Sequence, residues 1–124
     1  MKTMIDPNEL KNELKNFCGS EALYEYNFLW IKFYYSDGCR FLFEESKSYW
    51  LLNLIASWQD SILDIDKAFQ TWELKKINDK KWIIKCSDGN KSELCRQELS
   101  YSDFPLDHIK LWLVNGVLML PTEY

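Results

Sequence analysis

Asp37, Arg40, Glu44, Glu45 and Tyr49 form the densest group of chemistry-bearing side chains in the sequence. Arg40 and Glu44 stand four apart, so on a helix they share a face and can pair. Glu45 and Tyr49 would then look into the same cleft. Two carboxylates held near each other take split pKa values, one ionised and one protonated, and that pairing can do general acid and base work. A helix cap followed by a solvated salt bridge meets the same pattern. It is the preferred reading, because perturbed carboxylates also arise in structural networks.

The other reactive residue types are thinly spread. His108 is the single histidine and sits beside Asp107 and Lys110 with no metal-ligand spacing around it. One histidine does not build a zinc site, and a catalytic base needs an orienting partner that the sequence does not supply, so a surface histidine is expected. Cys18, Cys39, Cys86 and Cys95 include no Cys-x-x-Cys pair and read as reduced structural thiols. With four glycines in all, no phosphate-cradling loop or dinucleotide fingerprint can be written. Asp88, Asn90 and Glu93 fall short of a calcium loop and fit a hairpin turn better. No cofactor and no metal are expected.

Aromatic side chains are what the sequence has in excess, with six Trp, seven Tyr and seven Phe, 16% of the chain. Most of them serve a core, but a core of this size cannot enclose all, and exposed rings tend to mark binding surfaces. Tyr24, Tyr26 and Tyr34 are the ones expected outside.

The elements that must carry these residues follow from patterning. Asp6-Pro7-Asn8-Glu9 offers a capping acceptor, proline at the first helical position and an acidic first turn. Ile5 and Leu10 make a hydrophobic staple, and Leu10, Leu14 and Phe17 share a face. A helix is predicted from Pro7 to Phe17, stopped by Gly19. Tyr24 to Tyr35, apolar on both alternating faces, reads as one buried strand. Ser36-Asp37-Gly38 ends it and caps a short helix from Cys39 to Ser46. Leu51, Ile55, Trp58 and Ile62 stripe a second helix from Tyr49, with Trp50 and Leu52 on its flanks and Asn53 and Asp60 opposite. After a polar link from Asp64 to Lys67, Trp72 and Leu74, then Trp82, Ile84 and Cys86, then Cys95, Leu99 and Tyr101 mark three strands. Asn78-Asp79-Lys80 and Asp88-Gly89-Asn90 turn them into an antiparallel meander. Tyr101-Ser102-Asp103 echoes Tyr35-Ser36-Asp37 and predicts another strand-to-helix junction. Its helix would be striped by Leu106, Ile109 and Leu113 and ended by Asn115-Gly116. Val117 to Leu120 is a short strand stopped by Pro121.

The 124 residues, 47% hydrophobic and 27% charged, suit one compact domain. The fold expected is α+β, with an antiparallel sheet (the three-stranded meander plus an additional strand) packed against three or four helices. A net charge of −4, with Lys and Arg scattered along the chain, argues against nucleic acid as a partner. The start of the sequence lacks the apolar region of a secretory signal and no stretch reaches membrane-spanning length, so no membrane association and a cytoplasmic location are expected.

Tyr35-Ser36-Asp37-Gly38, Tyr49-Trp50-Leu51-Leu52, Ser87-Asp88-Gly89-Asn90, Ser102-Asp103-Phe104-Pro105-Leu106 and Leu120-Pro121-Thr122-Glu123-Tyr124 resemble a family of small bacterial proteins, found among cyanobacteria and Bacteroidetes, that is known as a domain of unknown function. The likeness spans nearly the whole chain and implies one complete domain. It brings no activity, cofactor or ligand. Function is therefore read from the aromatic surplus. The leading expectation is a non-catalytic protein-interaction module, accessory or inhibitory, with a protein partner or self-association as a possible homodimer. The alternative is a small enzyme or ligand-binding protein centred on Asp37, Arg40, Glu44, Glu45 and Tyr49. Single-strand nucleic-acid binding by stacking is the third and weakest class.

Overall fold

A computed structural model describes residues 6–18, 22–28, 31–61, 68–88, 92–100 and 102–124. The staple residue Ile5, the stop at Gly19, Ile62, the link 64–67, the turn residues Gly89 and Asn90, and Tyr101 lie outside these residues.

The first helix, α1 (Pro7–Leu14), begins as its sequence dictates: the Asp6 carboxylate accepts from the backbone N–H groups of Asn8 (3.1 Å) and Glu9 (3.2 Å), with Pro7 in the first turn. It ends three residues before Phe17, whose ring still packs on Phe41 at 5.4 Å. Two further helices follow, α2 (Asp37–Glu45) and α3 (Tyr49–Trp58), the latter running into a 3-10 turn over Gln59–Ser61. Leu51, Leu52 and Ile55 are buried as expected, and Asn53 and Asp60 face solvent.

Seven strands make one sheet in the order β1-β2-β7-β6-β3-β4-β5. They are β1 (Leu23–Phe28), β2 (Ile31–Ser36), β3 (Phe69–Asn78), β4 (Lys81–Ser87), β5 (Glu93–Leu99), β6 (His108–Val114) and β7 (Val117–Met119). The meander β3-β4-β5 is antiparallel, as its turn residues predict. The sheet as a whole is mixed, because β2 and β7 pair in parallel, so the architecture is α+β with a larger and less uniform sheet than the sequence suggests.

Two elements differ from the sequence reading. The stretch from Tyr24 to Tyr35 is a hairpin of two antiparallel strands rather than one strand, with Tyr24 opposite Tyr35 and Tyr26 opposite Phe33. The residues Leu106, Ile109 and Leu113 do not stripe a helix: residues 108–114 form β6, with β7 and β3 as its neighbours in the sheet. His-Ile-Lys-Leu-Trp-Leu-Val satisfies a period of two as well as a period near 3.6, and its branched and aromatic residues favour the pleated form. Asn115 (φ 49°) and Gly116 (φ 84°) are both left-handed, which makes them a two-residue hairpin turn into β7 instead of a helix stop.

The core lies on one face of the sheet. Trp72, Leu74, Trp82, Ile84, Leu111, Leu113 and Leu118 from the strands form a single cluster with Leu10, Leu42, Phe43, Leu51 and Ile55 from the helices. Within it a polar pair is fully satisfied. Gln59 and Gln70 exchange reciprocal amide hydrogen bonds (2.9 and 3.0 Å), and the Trp72 indole N–H donates to Gln70 Oε1 at 2.8 Å. Among the described residues, all three helices contribute to this face. Among the described residues no helix packs on the opposite face of the sheet, here called the bare face.

Candidate functional site

Helix α2 gathers most of the residues singled out from the sequence. Its N-cap is Ser36, whose side chain accepts from the Cys39 backbone N–H at 3.2 Å. The Tyr24 hydroxyl donates to Asp37 Oδ1 (2.8 Å), and the Arg40 guanidinium lies 4.6 Å from the centre of the Tyr24 ring. Arg40 Nε donates to Glu44 Oε1 at 3.1 Å, and the Tyr49 hydroxyl donates to the same oxygen at 3.3 Å. Tyr35 completes the group, 5.5 Å from Tyr24 and 6.5 Å from Tyr49 between ring centres. Tyr24 and then Glu44 hold the Arg40 guanidinium still more firmly protonated than usual. Burial, with the neighbouring Tyr35 and Glu44, pushes the Tyr49 phenol up. Arg40 and Tyr49 thus meet on Glu44, while Asp37 is linked to Arg40 only through Tyr24, which it holds by its hydroxyl. Glu45 is half-buried one residue further along α2.

The three tyrosines expected outside are divided by strand alternation. Tyr24 and Tyr26 point to the helix side and are half-buried, Tyr26 stacking on Phe33 at 5.5 Å. Tyr34 points to the bare face and is 37% exposed, with Lys32 6.0 Å from its ring centre. A strand places neighbours on opposite sides, so the expectation for Tyr24 and Tyr26 fails once residues 24–35 fold back as a hairpin.

At the start of α2 the C-terminal segment is latched down. Glu123 Oε1 accepts from the Ser36 hydroxyl (2.6 Å) and the Leu120 N–H (3.0 Å), and Oε2 accepts from the Gly38 N–H (3.2 Å). A carboxylate at a helix N-terminus meets both unpaired N–H groups and the positive end of the helix dipole. Gly38 is required by this approach: a Cβ there would sit 2.5 Å from Glu123 Oε1.

The bare face carries the groups that sequence reading passed over. Along β3, Phe69, Thr71, Glu73 and Lys75 alternate with buried Gln70, Trp72 and Leu74. Thr71 lies between Trp112 of β6 and Ser87 of β4, and Glu73 lies between Lys110 and Lys85. These two residues and their four cross-strand neighbours, with Phe69 and Asp88, line a concavity of about 420 Å³. Phe69 and Trp112 form its aromatic wall, and Tyr124, 75% exposed, packs against both, with the three ring centres 5.3 to 6.4 Å apart. Glu73 is in contact with His108, which occupies the surface position expected of it although on a strand, and forms a long ion pair with Lys85 at 3.9 Å. Burial raises the Glu73 pKa, but His108, Lys110 and Lys85 outweigh it and hold the carboxyl below its ordinary value. The signal for this face is the outward half of each alternating strand, legible only once β6 is recognised as a strand.

Among the described residues no group of three His, Cys, Asp or Glu side chains is placed to hold a metal ion. No helix among the described residues is long and apolar enough to cross a membrane. Residues 8–124 match the model of a family described as "Family of unknown function (DUF6876)". No curated protein and no solved structure gives a significant match.

Proposed function

Since the chain belongs to that family of unknown function, we propose from its own geometry that it is a non-catalytic protein-interaction module, accessory or inhibitory to a protein partner that docks on the bare face of the sheet. One observation carries this reading: the helices shield one face, while the other exposes an aromatic wall of Phe69, Trp112 and Tyr124 beside a row of charged and hydroxyl side chains. Trp, Tyr and Arg dominate the energetics of interfaces, and an antiparallel sheet whose role is only structural leaves its open face polar. The group around α2, with Asp37, Arg40, Glu44 and Tyr49, is read as a brace: Tyr24 ties the β1-β2 hairpin to Asp37 and Arg40 of α2, and Tyr49 ties α3 to Glu44 of α2 and to the Tyr35 ring of β2, with Glu45 beside it on the helix.

Affinity capture of a tagged protein from cells that express it naturally tests the reading, with Trp112→Gln on the bare face compared against Tyr49→Phe at the brace. A partner retained by the wild type and by Tyr49→Phe but lost by a folded Trp112→Gln supports it. Retention of every captured protein by Trp112→Gln, or loss of the same partner in Tyr49→Phe alone, refutes it.

A further inference from the structure

The charges on the bare face do not balance. Glu25 pairs with Lys32, Glu93 with Arg96 and Glu98 with Lys81, each within 3.3 Å. Glu73 is different. Lys110 and Lys85 stand directly across from it on the two neighbouring strands, Lys75 follows two residues along its own strand, and His108 lies diagonally in contact with it. One carboxylate is therefore ringed by three lysines and a histidine. Among the described residues Lys75 and Lys110 have no ion-pair partner. The hydroxyls of Thr71 and Ser87, side by side above this ring, make no hydrogen bond there either. Lys110, Lys85, the Thr71 and Ser87 hydroxyls and the Phe69 and Trp112 rings meet in the same concavity, where the second carboxylate, Asp88, accepts from the Ser92 N–H, and Lys75 lies in the adjoining hollow beside Glu73 and Lys85.

We propose that the partner's docking segment is an acidic polypeptide stretch in which carboxylate side chains settle on Lys110 and Lys75 and an adjoining aromatic or aliphatic side chain lies against Trp112 and Phe69. The inference rests on reading this face as the docking surface and names what docks there. Carboxylates complete the charge balance around Glu73, and the Thr71 and Ser87 hydroxyls can donate to them. A nucleic-acid strand fits less well. It brings a phosphate at every nucleotide, whereas Glu25, Glu73, Glu93 and Glu98 interrupt the cations of this face, and the chain as a whole carries −4.

The test is a titration of the intact isotope-labelled protein, followed by amide and indole resonances, with three probes. They are a capped five-residue peptide alternating Glu and Phe, the same peptide with Gln for Glu, and a short single-stranded oligothymidylate. The Glu peptide is expected to shift Thr71, Ser87, Lys110 and the Trp112 indole. Two or three exposed ion pairs should make it bind about tenfold more tightly than the Gln peptide. The preference should vanish in Lys75→Glu/Lys110→Glu, whose exposed sites leave the fold intact, as its own spectrum will report. Equal binding of the two peptides on this face overturns the acidic partner while leaving the docking surface standing. No shift with either peptide overturns the acidic partner, and the docking surface then stands or falls on the capture experiment alone. An oligonucleotide that moves the same resonances more strongly transfers the site to nucleic acid. Shifts at these residues on dilution without any probe assign the face to a second copy of the chain. Either result sinks the inference.

Discussion

Gly38→Ala is expected to change sign with the residue at position 123. In the native protein a methyl group at Gly38 would lie 2.5 Å from Glu123 Oε1, 2.8 Å from its Cδ and 2.7 Å from Leu120 Cδ1. None of these is backbone, so the side chains can yield, but Glu123 yields only by giving up its bonds to Ser36, Gly38 and Leu120. A hydrogen bond to a charged group contributes about 1.5–3 kcal/mol when buried. For three bonds at a part-buried site, with compensation from water, a total of roughly 2–4 kcal/mol is reasonable. Alanine recovers up to about 1 kcal/mol over glycine through helix propensity. Gly38→Ala alone should therefore cost about 1–3 kcal/mol, or some 4–12 °C in melting temperature at about 4 °C per kcal/mol. In a Glu123→Ala background, itself about 2–4 kcal/mol less stable, only the flexible tip of Leu120 stands in the way. There the same substitution should be neutral or stabilising by up to about 1 kcal/mol. Urea denaturation of the four proteins of this cycle gives the coupling, expected at about 2–4 kcal/mol. If Gly38→Ala costs the same in both backgrounds, the glycine is there for a reason other than the Glu123 approach, and the latch argument fails.

Two other outcomes follow from buried and charged groups. Gln70→Leu should destabilise the protein by about 3–5 kcal/mol, because it strands the Gln59 amide and the Trp72 indole N–H in the core. Gln59→Leu/Gln70→Leu should recover part of that loss, and denaturant midpoints of the single and double variants check both statements. Glu73 has a folded-state pKa below its ordinary value of 4.5, so it adds stability that is complete above the unfolded value and is lost as pH falls through the folded one. Glu73→Gln should accordingly lower stability at neutral pH and flatten the acid limb of a stability-versus-pH curve; an unchanged acid limb would count against the ring of cations around it.

How far the fold was legible depended on how many periodicities each segment could satisfy. The cap at Asp6-Pro7, the cap at Ser36 and the inward alternation of Trp72 and Leu74 each fit one local structure, and each formed as expected. Residues 108–114 fit two, and Asn115-Gly116 serves equally as a helix stop or a tight hairpin, so local reading chose the wrong member of both pairs. The reversal between Phe28 and Ile31 contains no glycine, proline or asparagine, which left nothing to split one apolar run into two strands. The site suffered most. Lys75, Lys85 and Lys110 look scattered because they sit on three different strands, and only the register β4-β3-β6 brings them around Glu73. The α2 group was visible because its members Arg40, Glu44 and Tyr49 are neighbours in sequence as well as in space.

The short motifs at Tyr35–Gly38, Ser102–Leu106 and Leu120–Tyr124 are joined to one another and to the core by structural contacts. Ser36 and Gly38 of the first motif meet Glu123 of the last through two hydrogen bonds, and a Cβ at Gly38 would sit 2.5 Å from Glu123 Oε1. Asp37 of the same motif takes the hydroxyl of Tyr24 and thereby fixes the β1-β2 hairpin against α2. Phe104 of another packs edge-on to Trp82 in the core, at 6.4 Å between ring centres. These are assembly contacts. Yet the latch reaches the other face of the sheet. By holding the turn over Pro121–Glu123 in place it sets Tyr124 against Trp112 and Phe69, so the C-terminal motif closes the fold with one residue and builds the aromatic wall with the next. A docking surface assembled in this way inherits its rigidity from the structural motif beside it, while the lysines that would choose the partner lie on β3, β4 and β6, apart from that contact and free to differ without loosening it.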